Sequence, residues 1–185
     1  MSTIAYKFLA RGAVGTVTEF AWPQPTAAGQ PGAWIEAAAP IALCESGVHA
    51  CRLPELAYWL HDELWLVELD GELREASDCV VASRARLVRP VQAWLDGGSA
   101  RFAHAARDHA AQLTAAAPEA SRARLAQYVA DSSAHLPHGA TALAAFCAAM
   151  AVAWLHGGDH FDDAGYRRER RWQSAFIAND LALTS

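Results

Sequence analysis

Cys44-Glu-Ser-Gly-Val-His-Ala-Cys51, continued by Arg52-Leu-Pro-Glu-Leu-Ala-Tyr-Trp-Leu60 and Glu63-Leu-Trp-Leu-Val-Glu-Leu-Asp-Gly71, reads as a strand, a short helix and a second strand. Along the first strand Gly47, His49 and Cys51 share one face, and Val48 and Ala50 the other. Pro54 suits the first turn of a helix that ends near Leu60. Leu64 to Leu69 is apolar on both faces apart from Glu68, the mark of a strand central in a sheet.

Working outward from this block, residues 1–89 keep a β-rich character. Ile4, Tyr6 and Phe8 alternate with Ala5 and Lys7, and Val14 to Phe20 is rich in β-branched residues, so both read as strands. Pro23, Pro25, Gly29, Pro31 and Gly32 mark a loop. Trp34-Ile35 and Ile41 to Leu43 read as short strands on either side of Pro40. Asp70-Gly71 is a turn signal that would fold Glu72 to Glu75 back as a hairpin. Cys79 to Ala82 and Ala85 to Arg89 supply the last strands.

From Pro90 the pattern becomes helical and rich in alanine. Val91 to Leu95 reads as a short helix stopped by Gly97-Gly98, after which Ser99 caps a helix to about Ala117. Phe102, Ala106, His109 and Leu113 form its stripe. A third helix begins near Pro118, with Leu125, Tyr128 and Val129 as its apolar contacts. Thr141 to Leu155 is apolar nearly all round and should be the most buried helix. The last spans about Asp163 to Leu183, with Tyr166, Trp172, Phe176, Ile177 and Leu181 inward and the arginines solvated. Strands followed by helices predict an α+β fold. Its mostly antiparallel N-terminal sheet, residues 1–89, is expected to pack against a helical layer, residues 90–185, as one compact unit.

The chain has 185 residues, 53% of them hydrophobic, and a net charge of −5, with Lys7 the only lysine. Such a chain can bury a substantial core but lacks the basic surface that binds phosphate backbones, so no nucleic-acid partner is expected. Lys7 interrupts the apolar run a secretory signal would need, and Ala140 to Leu155 is too short to span a membrane. A cytoplasmic protein with reduced cysteines is the expectation, which disfavours a Cys44–Cys51 disulfide.

His49, at a strand end beside the Pro54 helix, is the leading site candidate, because histidine is readily poised for acid–base work near neutral pH. A ring bonded to backbone within a mixed core is the competing reading. Cys44, His49 and Cys51 lack the spacing and the fourth ligand of a structural zinc site. His156, Asp159 and His160 are weak metal candidates. Gly157-Gly158 break the helix between the histidines, and Asp159, Asp162 and Asp163 can cap the helix that follows. His109 reads as a core histidine.

Gly47-Val48-His49-Ala50-Cys51 and Trp65-Leu66-Val67-Glu68-Leu69-Asp70-Gly71 resemble a block found in small bacterial proteins to which no activity is assigned. The same block, with Arg11-Gly12, is distantly similar to the NAD-gripping core of ADP-ribosyltransferase-like folds. That resemblance implies a nucleotide pocket in which Arg11 holds nicotinamide or phosphate and His49 takes the aromatic position, with Trp34 and Trp65 nearby. The chain departs from the family in having no Ser-Thr-Ser segment and no Glu-x-Glu, so Glu68 or Glu72 would be the acid only by default. Glu169-Arg-Arg-Trp172-Gln173 resembles helices of immunity proteins. Together these readings favour a defence- or immunity-like binding or accessory protein for a protein or small-molecule partner, with a small transferase using His49 and Arg11 as the alternative. Cofactor, catalysis and self-association stay unassigned.

Overall fold

The computed structural model describes residues 2–26, 29–43, 45–157 and 160–184. The fold is α+β, with an N-terminal antiparallel sheet and four C-terminal helices. The chain forms two compact units: Met1–Asp96 together with Leu181–Ser185, and Gly97–Asp180.

The first unit is built on five strands: β1 (Thr3–Leu9), β2 (Ile35–Glu36), β3 (Val48–Ala50), β4 (Glu63–Glu75) and β5 (Val80–Pro90). β4 lies between β1 and β5, as its two apolar faces require, with Leu64, Val67 and Leu69 fully buried. The outer edge of β5 is shared in succession by β3, against Val80–Ala82, and by β2, against Arg84 and Ala85. Just past β3, Cys51 exchanges two backbone hydrogen bonds of 2.8 Å with Tyr6 of β1. The sheet therefore curls until its first strand meets the end of its third. Ala5, Leu9, Trp22, Trp65, Val67 and Leu87 are among the side chains that fill the concave face.

Several expected boundaries move. Asp70-Gly71 does not turn the chain: β4 runs on to Glu75, and the reversal comes at Ala76–Cys79, closed by a 2.9 Å hydrogen bond. Gly71 instead sits in a bulge at φ +82°, where a Cβ would lie 2.1 Å from Ser83 Oγ. The two expected final strands are one, β5. Val14 to Phe20 is no strand but an irregular loop, because Gly15 and Glu19 hydrogen-bond each other and Thr16 to Glu19 are exposed. Ile41 to Leu43 likewise turns, through hydrogen bonds of Ser46 and Glu45 to Ala42. The Pro54 helix is a 3-10 helix, Leu53–Tyr58.

The second unit holds α1 (Ser99–Ala115), α2 (Glu119–His135), α3 (Thr141–Gly157) and α4 (Asp163–Asp180). Gly97-Gly98 does not stop a helix. It completes a π-helical turn, Trp94–Gly98, and Ser99 supplies no side-chain cap. α3 is the most buried of the four helices, its alanines allowing close approach of its neighbours. α4 departs most from expectation: Glu169, Arg170 and Gln173 face inward, while Trp172 and Phe176 are only half-buried. The inward polar groups satisfy one another. Arg170 Nη1 donates to Gln173 Oε1 at 3.0 Å, and Gln173 Nε2 donates to Ala145 O at 3.0 Å and to Glu169 Oε1 at 3.3 Å. His109 Nδ1 lies 3.0 Å from Glu169 Oε2, and its ring stacks on Trp172 at 3.7 Å. Burial pushes the Glu169 carboxyl above the usual carboxylate range, with His109 opposing that shift.

Candidate functional site

β1 presents Ala5, Lys7 and Leu9 to the concave face. Ala5 and Leu9 are buried among the core side chains, so the strand's alternation forces the lysine between them to the same side. Lys7 lines a cavity of about 580 Å³ in the sheet unit. The volume falls within the roughly 300–1,000 Å³ of small-molecule sites. Phe8, Phe20, Trp22, Ile35, Val48 and Trp59 give the cavity largely apolar walls, and His49 contributes to the same lining.

Lys7 Nζ donates a 2.6 Å hydrogen bond to the carbonyl of His49 and stands 5.4 Å from the centre of the Trp22 ring. Among the described residues no carboxylate comes within ion-pair distance of it. Burial without a counter-ion lowers its pKa from 10.5 to about 8. The backbone at Gly47 has φ +118°, and a Cβ there would lie 2.3 Å from Val81 Cγ1. Glycine is thus required for β3 to approach β5 and hold His49 in place.

His49 is half-buried, with Nδ1 3.2 Å from Gly47 O. Burial lowers its pKa first of all, reinforced by the Lys7 charge and opposed by the Gly47 carbonyl, so the ring is neutral near pH 7. Cys51 is fully buried, its Sγ 3.4 Å from Tyr6 O, and burial raises its thiol pKa. That thiol is a poor nucleophile.

The other sequence candidates lie elsewhere. Arg11 is exposed at a turn and does not line the cavity. The following Gly12 and Ala13 donate their N–H groups to Glu63 at 2.8 and 3.0 Å. Trp65 is a core side chain whose Nε1 donates to the same carboxylate at 2.9 Å. Trp34 stacks under Arg84 and Arg86, at 4.9 and 4.5 Å, and those guanidinia are paired with Asp70 and Glu68. Glu72 pairs with Arg74 at 2.9 Å. The structure therefore does not bring Arg11, Trp34 or Trp65 together with His49 at the cavity.

Cys44 and Asp159 lie outside the described residues. Among those that are described, no group of three His, Cys, Asp or Glu side chains is placed to hold a metal, and His156 and His160 are exposed. Asp162 accepts from Ala164 N and Gly165 N at 3.1 and 3.0 Å and so caps α4. No helix is long and apolar enough to cross a membrane, again among the described residues.

Sequence reasoning missed Lys7 and Trp22 as site residues. The signal for Lys7 was present: a lone lysine on a strand face otherwise made of Ala5 and Leu9. Trp22 gave none, since its position over Lys7 follows from the path of an irregular loop. No protein-family model, curated protein or solved structure matches the chain.

The Lys7 charge should cost folding energy. Below pH 8 the folded and unfolded states both carry the proton, and the folded state bears the desolvation. As pH rises from about 8 toward 10.5 the folded state sheds its proton first, so wild-type stability should rise across that window. Lys7→Met is therefore expected to be more stable than wild type at pH 7, by up to about 3 kcal/mol from the shift between 10.5 and about 8. The gain should shrink by pH 10, as read from urea midpoints of both proteins at each pH. A gain independent of pH would show that the charge is not what costs energy.

Proposed function

We propose that this protein binds a small molecule in the cavity between Lys7, Trp22 and His49. The observation that carries the reading is an ammonium group held in a largely apolar hollow, with no carboxylate among the described residues within ion-pair distance of it. Burying an unpaired charge lowers stability, and a ligand that supplies the missing partner accounts for its being there. The buried thiol of Cys51, which is in no disulfide, supports the expectation of a reducing, cytoplasmic setting. The transferase alternative needs Arg11 beside His49, and Arg11 is on an exposed turn. The immunity-like reading rests on Glu169 to Gln173, of which Glu169, Arg170 and Gln173 are buried in the helical unit.

The test is chemical-shift mapping of the labelled protein against a set of small aromatic acids and amides. Binders should move the amides of Lys7, Phe8, Thr16 to Thr18 and Val48 to Ala50, and leave α1 to α4 unchanged. Shifts confined to the helical unit, or none at millimolar ligand, would overturn the reading.

A further inference from the structure

We infer that the ligand of this cavity is a small monocarboxylate with an aromatic or similarly apolar body, its carboxylate paired with Lys7 and its body against Phe20 and Trp22. The inference rests on the cavity being a ligand site and specifies what that site selects.

The donor count makes the first part of the case. A lysine ammonium has three N–H donors. Among the described residues only the His49 carbonyl accepts from Lys7, and that carbonyl brings no negative charge. The Trp22 ring face is a weak substitute for an anion. A carboxylate reaching Nζ would take up the remaining donors and offset the charge in one contact.

The rest of the lining says what kind of anion fits. Among the described residues of the lining Lys7 is the one cationic side chain, and none is an arginine. Phosphate sites draw on arginine forks, helix N-termini or runs of backbone N–H groups, and the lining contains no arginine or regular α-helix. Glu36 and Glu45, both exposed, belong to the same lining and add two negative charges. These carboxylates oppose a phosphate dianion or a nucleotide diphosphate more than a monoanion, whose single charge the Lys7 ammonium can meet by direct contact. The apolar walls provide for the rest of the molecule: Phe20, Val17 and Trp59 are exposed large apolar side chains at this cavity. An apolar body covering them would be withdrawn from water together with them.

Phenylacetate, 3-phenylpropionate and 4-phenylbutyrate, each against its neutral amide and against phenyl phosphate, separate these terms by calorimetry on wild type and Lys7→Met. The best acid should bind wild type about 10- to 100-fold more tightly than its amide, the ratio expected of a desolvated charged hydrogen bond. In Lys7→Met the acid should lose its advantage over the amide, and continued binding of the amide shows that the variant is folded. Because Lys7 is the only lysine, its ¹³Cε resonance is assigned without ambiguity and should move with the acids alone. Acid and amide binding alike in the cavity would overturn the carboxylate inference and leave the cavity reading standing. A selectivity for acid that survives Lys7→Met would do the same. Tighter binding of phenyl phosphate would overturn the choice of a monoanion. Binding of none of the probes would count against both readings.

Discussion

Gln173→Leu is expected to destabilise the helical unit by about 3–5 kcal/mol, the scale found when one member of a buried, charge-linked network is removed. Leucine nearly fills the glutamine's volume, so the loss is of hydrogen bonding rather than of packing. Arg170 Nη1 loses its acceptor, Ala145 O loses its side-chain donor, and Glu169 loses one of the two side chains that hold its carboxylate. Each is inside the unit, where water cannot replace the lost partner. Arg171→Ala, two residues away on the exposed side of α4, should change stability by under about 0.5 kcal/mol. Native-state hydrogen exchange of α3 and α4 amides measures both. Equal effects from the two substitutions would refute the network as a source of stability.

The second large effect is expected at Glu63. Its carboxylate gathers three donors: Gly12 N at 2.8 Å, Ala13 N at 3.0 Å and Trp65 Nε1 at 2.9 Å. Ala13 is held at φ +59°, which is unfavourable for an alanine unless its surroundings impose it. Glu63→Ala removes the anchor of that turn and leaves the buried Trp65 N–H unpaired, at a cost of about 2–3 kcal/mol. The Gly12 and Ala13 amides should exchange faster and the Trp65 Nε1–H resonance should shift. Glu63→Gln should fall between wild type and alanine, since an amide keeps one acceptor oxygen but cannot serve all three donors. An alanine variant as stable as wild type would show that the loop is fixed by other contacts.

These two clusters show where the sequence was readable and where it was not. β4 was legible because centrality in a sheet is written locally, as apolar residues on both faces. α3 was legible for the same reason. Asp70-Gly71 misled because a turn and a bulge demand the same backbone freedom of glycine, and only the Ser83 hydroxyl on the partner strand distinguishes them. The charge density of α4 suggested a solvated face. Glu169 is nonetheless buried, its histidine partner lying 60 positions earlier in the chain. Lys7 was noticed only as an interruption in an apolar run. What makes it a site residue is a carbonyl 42 positions away and a ring on an irregular loop. His49, the leading candidate from the sequence, is part of a cavity lining. Its companions there are Lys7 and Trp22 rather than Arg11, Trp34 and Trp65.

The meeting of Tyr6 and Cys51 has a bearing on how this protein behaves when crowded or stressed. An open sheet offers neighbouring molecules a ready row of unpaired amides and carbonyls, on which strands of other copies can grow. Here the curl spends the backbone groups of Tyr6 within the molecule, and β2, two residues long, covers part of the far edge. Strand addition across the middle of β1 would have to separate Cys51 from Tyr6. The same small closure that gives the cavity its concave wall is therefore a safeguard against edge-to-edge association.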